Sequence, residues 1–149
     1  MITEVQGDLL TSKSQVIAHQ VNCQGVMGSG IAKQIKEKYP KVFDCYKFHC
    51  NVVEVRKELL GQCDLCENEP FYIANLFGQY DYGTHKRMTN YEAIYNALEN
   101  LHKDMISLNL TSVSFPYKMS CGLAGGDWNV VYAMIESIFK DMDVTIYKL

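Results

Sequence analysis

Twice in this chain an apolar, strand-like run leads through a glycine-rich loop into a helix-like run. The first passage runs Val16-Ile17-Ala18-His19-Gln20-Val21, then Asn22 to Gly30 with Gly25, Gly28 and Gly30, then Ile31 onward. The second runs Thr111 to Phe115, then Pro116 to Asp127 with Gly122, Gly125 and Gly126, then Val130 to Phe139. This repeated strand–loop–helix unit points to an α/β sandwich with a mixed, partly parallel sheet. In such folds ligands bind at the carboxyl ends of the strands. Glycine lets the backbone approach a ligand closely. A helix start offers unpaired N–H groups and a partial positive charge, which suits phosphate.

The remaining elements follow from period and punctuation. Ile2 to Val5 alternates and stops at Gly7-Asp8, a first strand. Ile31, Ile35 and Tyr39 recur every four residues among Lys33, Lys36, Glu37 and Lys38, an amphipathic helix that Pro40 closes. Val42 to Cys50 reads as a short helix, Gly61 to Cys66 as a strand, and Phe71 to Phe77 as a stronger strand rich in β formers. Gly78 to Met88 has no period and reads as a loop. Thr89, with Glu92 three residues on, is the expected N-cap of a helix through Ile94, Leu98, Leu101 and Met105. Asp127 stands as N-cap of the last helix, and Val144 to Tyr147 is the final strand. Residues 1–149 form one expected domain, with no linker or repeat.

Composition narrows the function classes. A net charge of −3 gives no general electrostatic reason to bind nucleic acid. No apolar run approaches the roughly 20 residues of a membrane span, and no signal peptide is visible at the start. A cytosolic (cytoplasmic) monomer is the expectation, with its six cysteines mostly free thiols rather than a disulfide framework. Cys63-x-x-Cys66 has zinc-ligand spacing, with Cys45, His49 and Cys50 nearby. Both cysteines fall in a predicted strand and no second tight pair exists, so neither metal nor cofactor is expected.

Neither glycine run ends in Gly-Lys-Ser/Thr, which excludes a P-loop. The spacing of Gly25, Gly28 and Gly30 does not fit a dinucleotide fingerprint. The residues instead match another pattern: Val5-Gln6-Gly7-Asp8-Leu9-Leu10, His19 through Ala32, Ile73 to Gln79, Pro116 through Trp128, and the ending Thr145-Ile146-Tyr147-Lys148-Leu149. Over nearly its whole length the chain resembles a macrodomain, the ADP-ribose-binding fold. It is most similar to the small stand-alone members, which include ADP-ribose-1″-phosphate phosphatases and a terminal ADP-ribose protein glycohydrolase.

The resemblance implies a three-layer α/β/α sandwich with a central mixed sheet. It also implies ADP-ribose, or an ADP-ribosylated substrate, as the partner. Asp8 would accept from the adenine amino group, a fitting role for a carboxylate; the alternative is a turn cap after Gly7. Leu9 would pack beside the adenine, and the terminal Leu149 would close that end. Gly28, Ser29, Gly30 and Ile31 would follow the diphosphate and distal ribose. Ser120, Cys121, Gly122, Leu123, Ala124 and Gly125 would wrap the phosphates from the other side. Asn22 would meet the distal ribose, or else cap its own loop.

The resemblance constrains the reaction less. Where the glycohydrolase relative has a lysine nucleophile and an assisting aspartate, this chain aligns Gln79 and Ala124. Neither can supply that chemistry. Lys86 lies seven residues beyond Gln79. His19 suits proton transfer at neutral pH, or else is a buried strand residue. Asp127 orients a water, or only caps its helix. Tyr82 is a candidate for the ribose end. The expected activity is hydrolysis at the distal ribose: loss of phosphate from ADP-ribose 1″-phosphate, or removal of ADP-ribose from an acidic side chain. Catalytic candidates are Asn22, His19 and Asp127. The alternative is a non-catalytic ADP-ribose reader.

Overall fold

A computed structural model describes residues 2–83, 88–121 and 124–149. Six strands form one sheet in the order β1-β6-β5-β2-β4-β3. They are β1 (Ile2–Gln6), β2 (Val16–Val21), β3 (Cys63–Asn68), β4 (Phe71–Phe77), β5 (Ser112–Pro116) and β6 (Asp143–Lys148). All neighbouring pairs are parallel except β3 with β4 at the edge. The sheet is therefore mixed, and five strands end along the same edge.

The helices are α1 (Gly30–Lys38), α2 (Pro40–Val52), α3 (Tyr91–Ser107) and α4 (Trp128–Ile138). Side chains alternate across a strand, so each face of β2 meets a different layer. Val16 and Ala18 pack with Ile94, Leu98 and Leu101 of α3 and with Val131 and Ile135 of α4. Ile17 packs on the other side with Ile35 of α1 and Val42 of α2, and Val21 with Tyr46 and Cys50 of α2. This makes three layers, α/β/α. Covering both faces explains why β2 starts as a continuous apolar run, Val16-Ile17-Ala18. Burying each of these large aliphatic side chains contributes roughly 1.5–3 kcal/mol. Ser114 is a polar exception in β5; its hydroxyl bonds those of Ser12 (2.7 Å) and Ser14 (2.6 Å).

Several boundaries differ from expectation for local reasons. Helix α3 is capped by Asn90, whose Oδ1 accepts from Ala93 N at 3.0 Å. Thr89, the expected cap, is buried and donates its hydroxyl to Ser120 O at 2.7 Å. Both residue types cap well, so local sequence could not choose between them. Pro40 ends α1 and also opens α2, where its fixed φ suits the first helical position. Strand β3 starts at Cys63, not Gly61, because Gly61 turns the chain at φ +90. Single 3-10 turns at Leu9–Thr11 and Arg56–Leu59 were not foreseen.

Cys63 packs on the α3/α4 side of the sheet and Cys66 on the α1/α2 side. Residues three apart in a strand point to opposite faces, so this pair cannot ligate one zinc. All six cysteines are free thiols. No helix among the described residues is long and apolar enough to cross a membrane.

Candidate functional site

At the edge where the parallel strands end lies a groove of three joined hollows. The inner one, about 350 Å³, is lined by Gln20, Asn22, Gly28, Ser29, Gln79, Tyr82 and Ala124 among others. The middle one, about 310 Å³, shares Gln20, Ser29, Ala32, Gln79 and Ala124 with it. The outer one, about 440 Å³, shares Gly30, Ile31, Pro116, Tyr117 and Lys118 with the middle. Asp8, Leu9, Lys148 and Leu149 complete the outer end.

The first loop is held from within. Asn22 Nδ2 donates to Val26 O at 2.8 Å, and Asn22 Oδ1 accepts from Gln24 N at 2.9 Å. Tyr46 reaches up from α2 and donates to Asn22 O (2.7 Å) or Oδ1 (2.8 Å), while accepting from Val26 N at 3.2 Å. Burial holds the Tyr46 phenol protonated, far above its ordinary range. Asn22 therefore lines the groove with its amide committed to its own loop, as the loop-capping alternative expected. Helix α1 begins at Gly30 (φ +59), and Ser29 sits at its N-cap position in extended conformation without a side-chain cap bond. The first-turn N–H groups at the wall of the groove thus receive no acceptor from the Ser29 side chain.

The second loop enters through Ser120, a non-glycine residue at φ +72. Its carbonyl accepts from Thr89 Oγ1 and from Gly126 N (2.8 Å), and its Oγ donates to Gln20 Oε1 at 2.6 Å. Ala124 O accepts from the backbone N–H groups of Met88 (2.7 Å) and Thr89 (3.1 Å). Gly125 has φ +77, and a Cβ on Gly126 would lie 2.5 Å from Ser120 O. Cys121 also lines the groove; burial pushes its thiol up to about 11, so it remains protonated at neutral pH. Gly122 and Leu123 lie outside the described residues, as does Lys86.

The other candidates separate by position. Asp8 caps its 3-10 turn, with Oδ1 accepting from Leu10 N at 2.9 Å, and also lines the groove. A carboxylate has two oxygens, so cap and ligand contact are compatible. Leu9 is buried beside it, and Leu149 is 90% exposed at the rim. Asp127 caps α4 through Asn129 N at 2.9 Å and is not among the groove-lining residues. His19 is 0% exposed on the α1/α2 side of the sheet, and its Nε2 lies 2.6 Å from Asn75 Oδ1. Burial lowers its pKa to about 4, against a smaller opposing effect of Asn75. Of Asn22, His19 and Asp127, only Asn22 reaches the groove. The described lining of the inner hollow contains no Asp, Glu, His, Lys or Cys, and Tyr82 is its sole titratable side chain.

Gln20, Tyr46 and Gly78 were missed as contributors. Gln20 carried a signal: a long polar side chain inside a buried strand, one residue before its end. Tyr46 carried none, since an aromatic on an amphipathic helix reads as core.

The chain matches the family model described as Macro domain over residues 18–135. It is 32% identical to a Mycobacterium tuberculosis protein named DNA ADP-ribosyl glycohydrolase, over 99% of this chain but 42% of that protein's length. It is 30% identical to an ADP-ribose 1″-phosphate phosphatase of Saccharomyces cerevisiae, over 99% of this chain and 98% of the relative. Its structure is similar to the macrodomain of Mycobacterium tuberculosis DarG, with a TM-score of 0.86 and 31% identity over 99% of this chain and 97% of that one.

Proposed function

Because the chain belongs to the macrodomain family, we propose that it binds ADP-ribose along this groove and hydrolyses a bond at the distal ribose. The bond is either the phosphate ester of ADP-ribose 1″-phosphate or the ester to an acidic side chain. The observation that carries the reading is the continuity of the groove. It runs from Asp8 and Leu9, past the uncapped start of α1 and the second glycine loop, to the hollow under Gln79 and Tyr82.

Adenine at the outer end would meet the Asp8 carboxylate. The diphosphate would lie against backbone N–H groups of residues 28–31, where the helix start favours negative charge. The distal ribose would fill the inner hollow. There Gln79 cannot act as a nucleophile: it is an amide, and both its ends are engaged. Its Oε1 accepts from Gln20 Nε2 (2.7 Å), and its Nε2 donates to Asp81 O (2.7 Å). Rate enhancement then rests on holding water and ribose in register, aided by fixed dipoles of the loops. Asn22 contributes by fixing the first loop, and Asp127 by anchoring the start of α4. His19 supports the sheet as a neutral ring.

The scarcity of titratable groups in the inner hollow also favours a second reading, an ADP-ribose reader without catalysis. One experiment separates the two. The protein is incubated with ADP-ribose 1″-phosphate and with a protein carrying ADP-ribose on acidic residues, and calorimetry compares ADP-ribose, ADP and AMP. Turnover of either substrate is expected, together with tighter binding of ADP-ribose than of AMP. Tight binding without turnover leaves the reader. Equal affinity for ADP-ribose and AMP overturns both.

A further inference from the structure

We infer that Gln20 is a positioning residue for the diphosphate and distal ribose: its side-chain amide ties the second glycine loop and the Gln79 segment to the sheet and sets the width of the groove. The inference rests on the ADP-ribose reading above.

Gln20 reaches three segments remote in sequence. Its Nε2 donates to Gln79 Oε1 at 2.7 Å and to Thr89 Oγ1 at 3.1 Å, and its Oε1 accepts from Ser120 Oγ at 2.6 Å. Thr89 Oγ1 closes the ring by donating to Ser120 O. One side chain thereby holds the strand after which the first loop begins, the segment after β4, and the residue that opens the second loop. Ser120 sits in the left-handed region, which costs a non-glycine residue on the order of 1 kcal/mol or more and persists only when its surroundings enforce it. The bonds to Ser120 O and Oγ supply that enforcement.

Gly78 gives an independent sign. Its φ is not left-handed, so its backbone does not require glycine. A Cβ there would overlap Gln20 Oε1 and lie 2.8 Å from Gln20 Cδ. The space is taken by the Gln20 amide. Gln20 and Gln79 both line the inner and middle hollows, and Ser120 lines the middle one, so a shift of this ring moves the walls around the diphosphate and distal ribose. It does not reach the residues of the adenine end.

The test uses Gln20→Met, which keeps length and loses every bond of the amide. It also uses Thr89→Val, which removes the Thr89 link with little change of shape at a buried residue outside the groove lining. Calorimetry with ADP-ribose and with AMP is run on the wild type, both variants and the double variant, alongside thermal melts. Gln20→Met is expected to weaken ADP-ribose about tenfold, the equivalent of about 1.4 kcal/mol, and AMP less than about twofold. Thr89→Val should show the same selectivity to a smaller degree, and the double variant should lose less than the two losses combined. Unchanged ADP-ribose affinity, or equal loss for both ligands, overturns the inference while leaving the ADP-ribose reading intact. If Gln20→Met does not fold, Thr89→Val alone must still lose ADP-ribose selectively, or the inference fails. A wild type that binds ADP-ribose no better than AMP overturns the underlying reading, and the inference with it.

Discussion

Acidification from pH 7 to pH 4 should cost this fold about 3 kcal/mol through His19 alone. The ring is fully buried and bonded through Nε2 to Asn75 Oδ1. Asn75 Nδ2 donates to Asp64 Oδ2 at 3.2 Å, which leaves Asn75 Oδ1 as the acceptor and assigns the proton to His19 Nε2. Nδ1 is then bare, and it has no hydrogen-bond partner. Charging the ring would add a second N–H in a fully buried place where no described residue offers an acceptor. Burial accordingly lowers the pKa from 6.5 to about 4. The unfolded chain takes up its proton near 6.5 and the native state only near 4. Stability is therefore complete above pH 6.5 and falls as pH drops through the window between those values. That gap, at roughly 1.4 kcal/mol per pH unit and with the native ring itself half protonated at pH 4, gives a loss of about 3 kcal/mol by pH 4. His49 Nδ1 and Asp64 Oδ1, 3.6 Å apart, face the same network and are present in both proteins of the comparison. Urea unfolding at pH 7, 6, 5 and 4 should be measured for the wild type and for His19→Gln, which keeps a donor near Nε2 without a titrating ring. The wild type should lose about 3 kcal/mol more than the variant across that range. Parallel loss in the two proteins, or an NMR titration placing His19 near 6.5, would refute the reasoning.

Other substitutions probe the loops. Gly126→Ala places a methyl against the Ser120 carbonyl, a backbone atom that cannot rotate away, and should cost about 1–3 kcal/mol in urea unfolding together with ADP-ribose affinity. Tyr46→Phe removes the hydroxyl that holds Asn22 and Val26. A loss of about 1–3 kcal/mol is expected, with a weaker ADP-ribose complex by calorimetry. Asp127→Ala should lower stability by about 1 kcal/mol through the lost cap. Its turnover at saturating substrate should stay within about twofold of wild type if the carboxylate acts only as a cap; a drop of a hundredfold or more would restore Asp127 as a participant in the reaction.

Local pattern was enough for the architecture. The apolar start of Val16 to Val21 marks a strand buried on both faces, and the recurrence of Ile31, Ile35 and Tyr39 at every fourth position marks a helix with one buried side. These follow from the two side-chain periods, which depend only on neighbours in sequence. The glycine loops and Asp8 were legible for the same reason, since helix-start and turn chemistry is local. Caps were legible as residue types but not as positions, as the exchange of Thr89 for Asn90 shows.

The amino-acid order by itself determined the strands, the helices and the glycine-rich loops that follow β2 and β5. Only the tertiary structure decided which polar side chains face the groove. It buried His19 against Asn75, turned the Asn22 amide inward onto its own loop, and set Gln20 as the tie between residues 59, 69 and 100 positions away. A polar residue's role depends on the partner it meets, and partners that far along the chain are brought together by packing of the layers rather than by any local period.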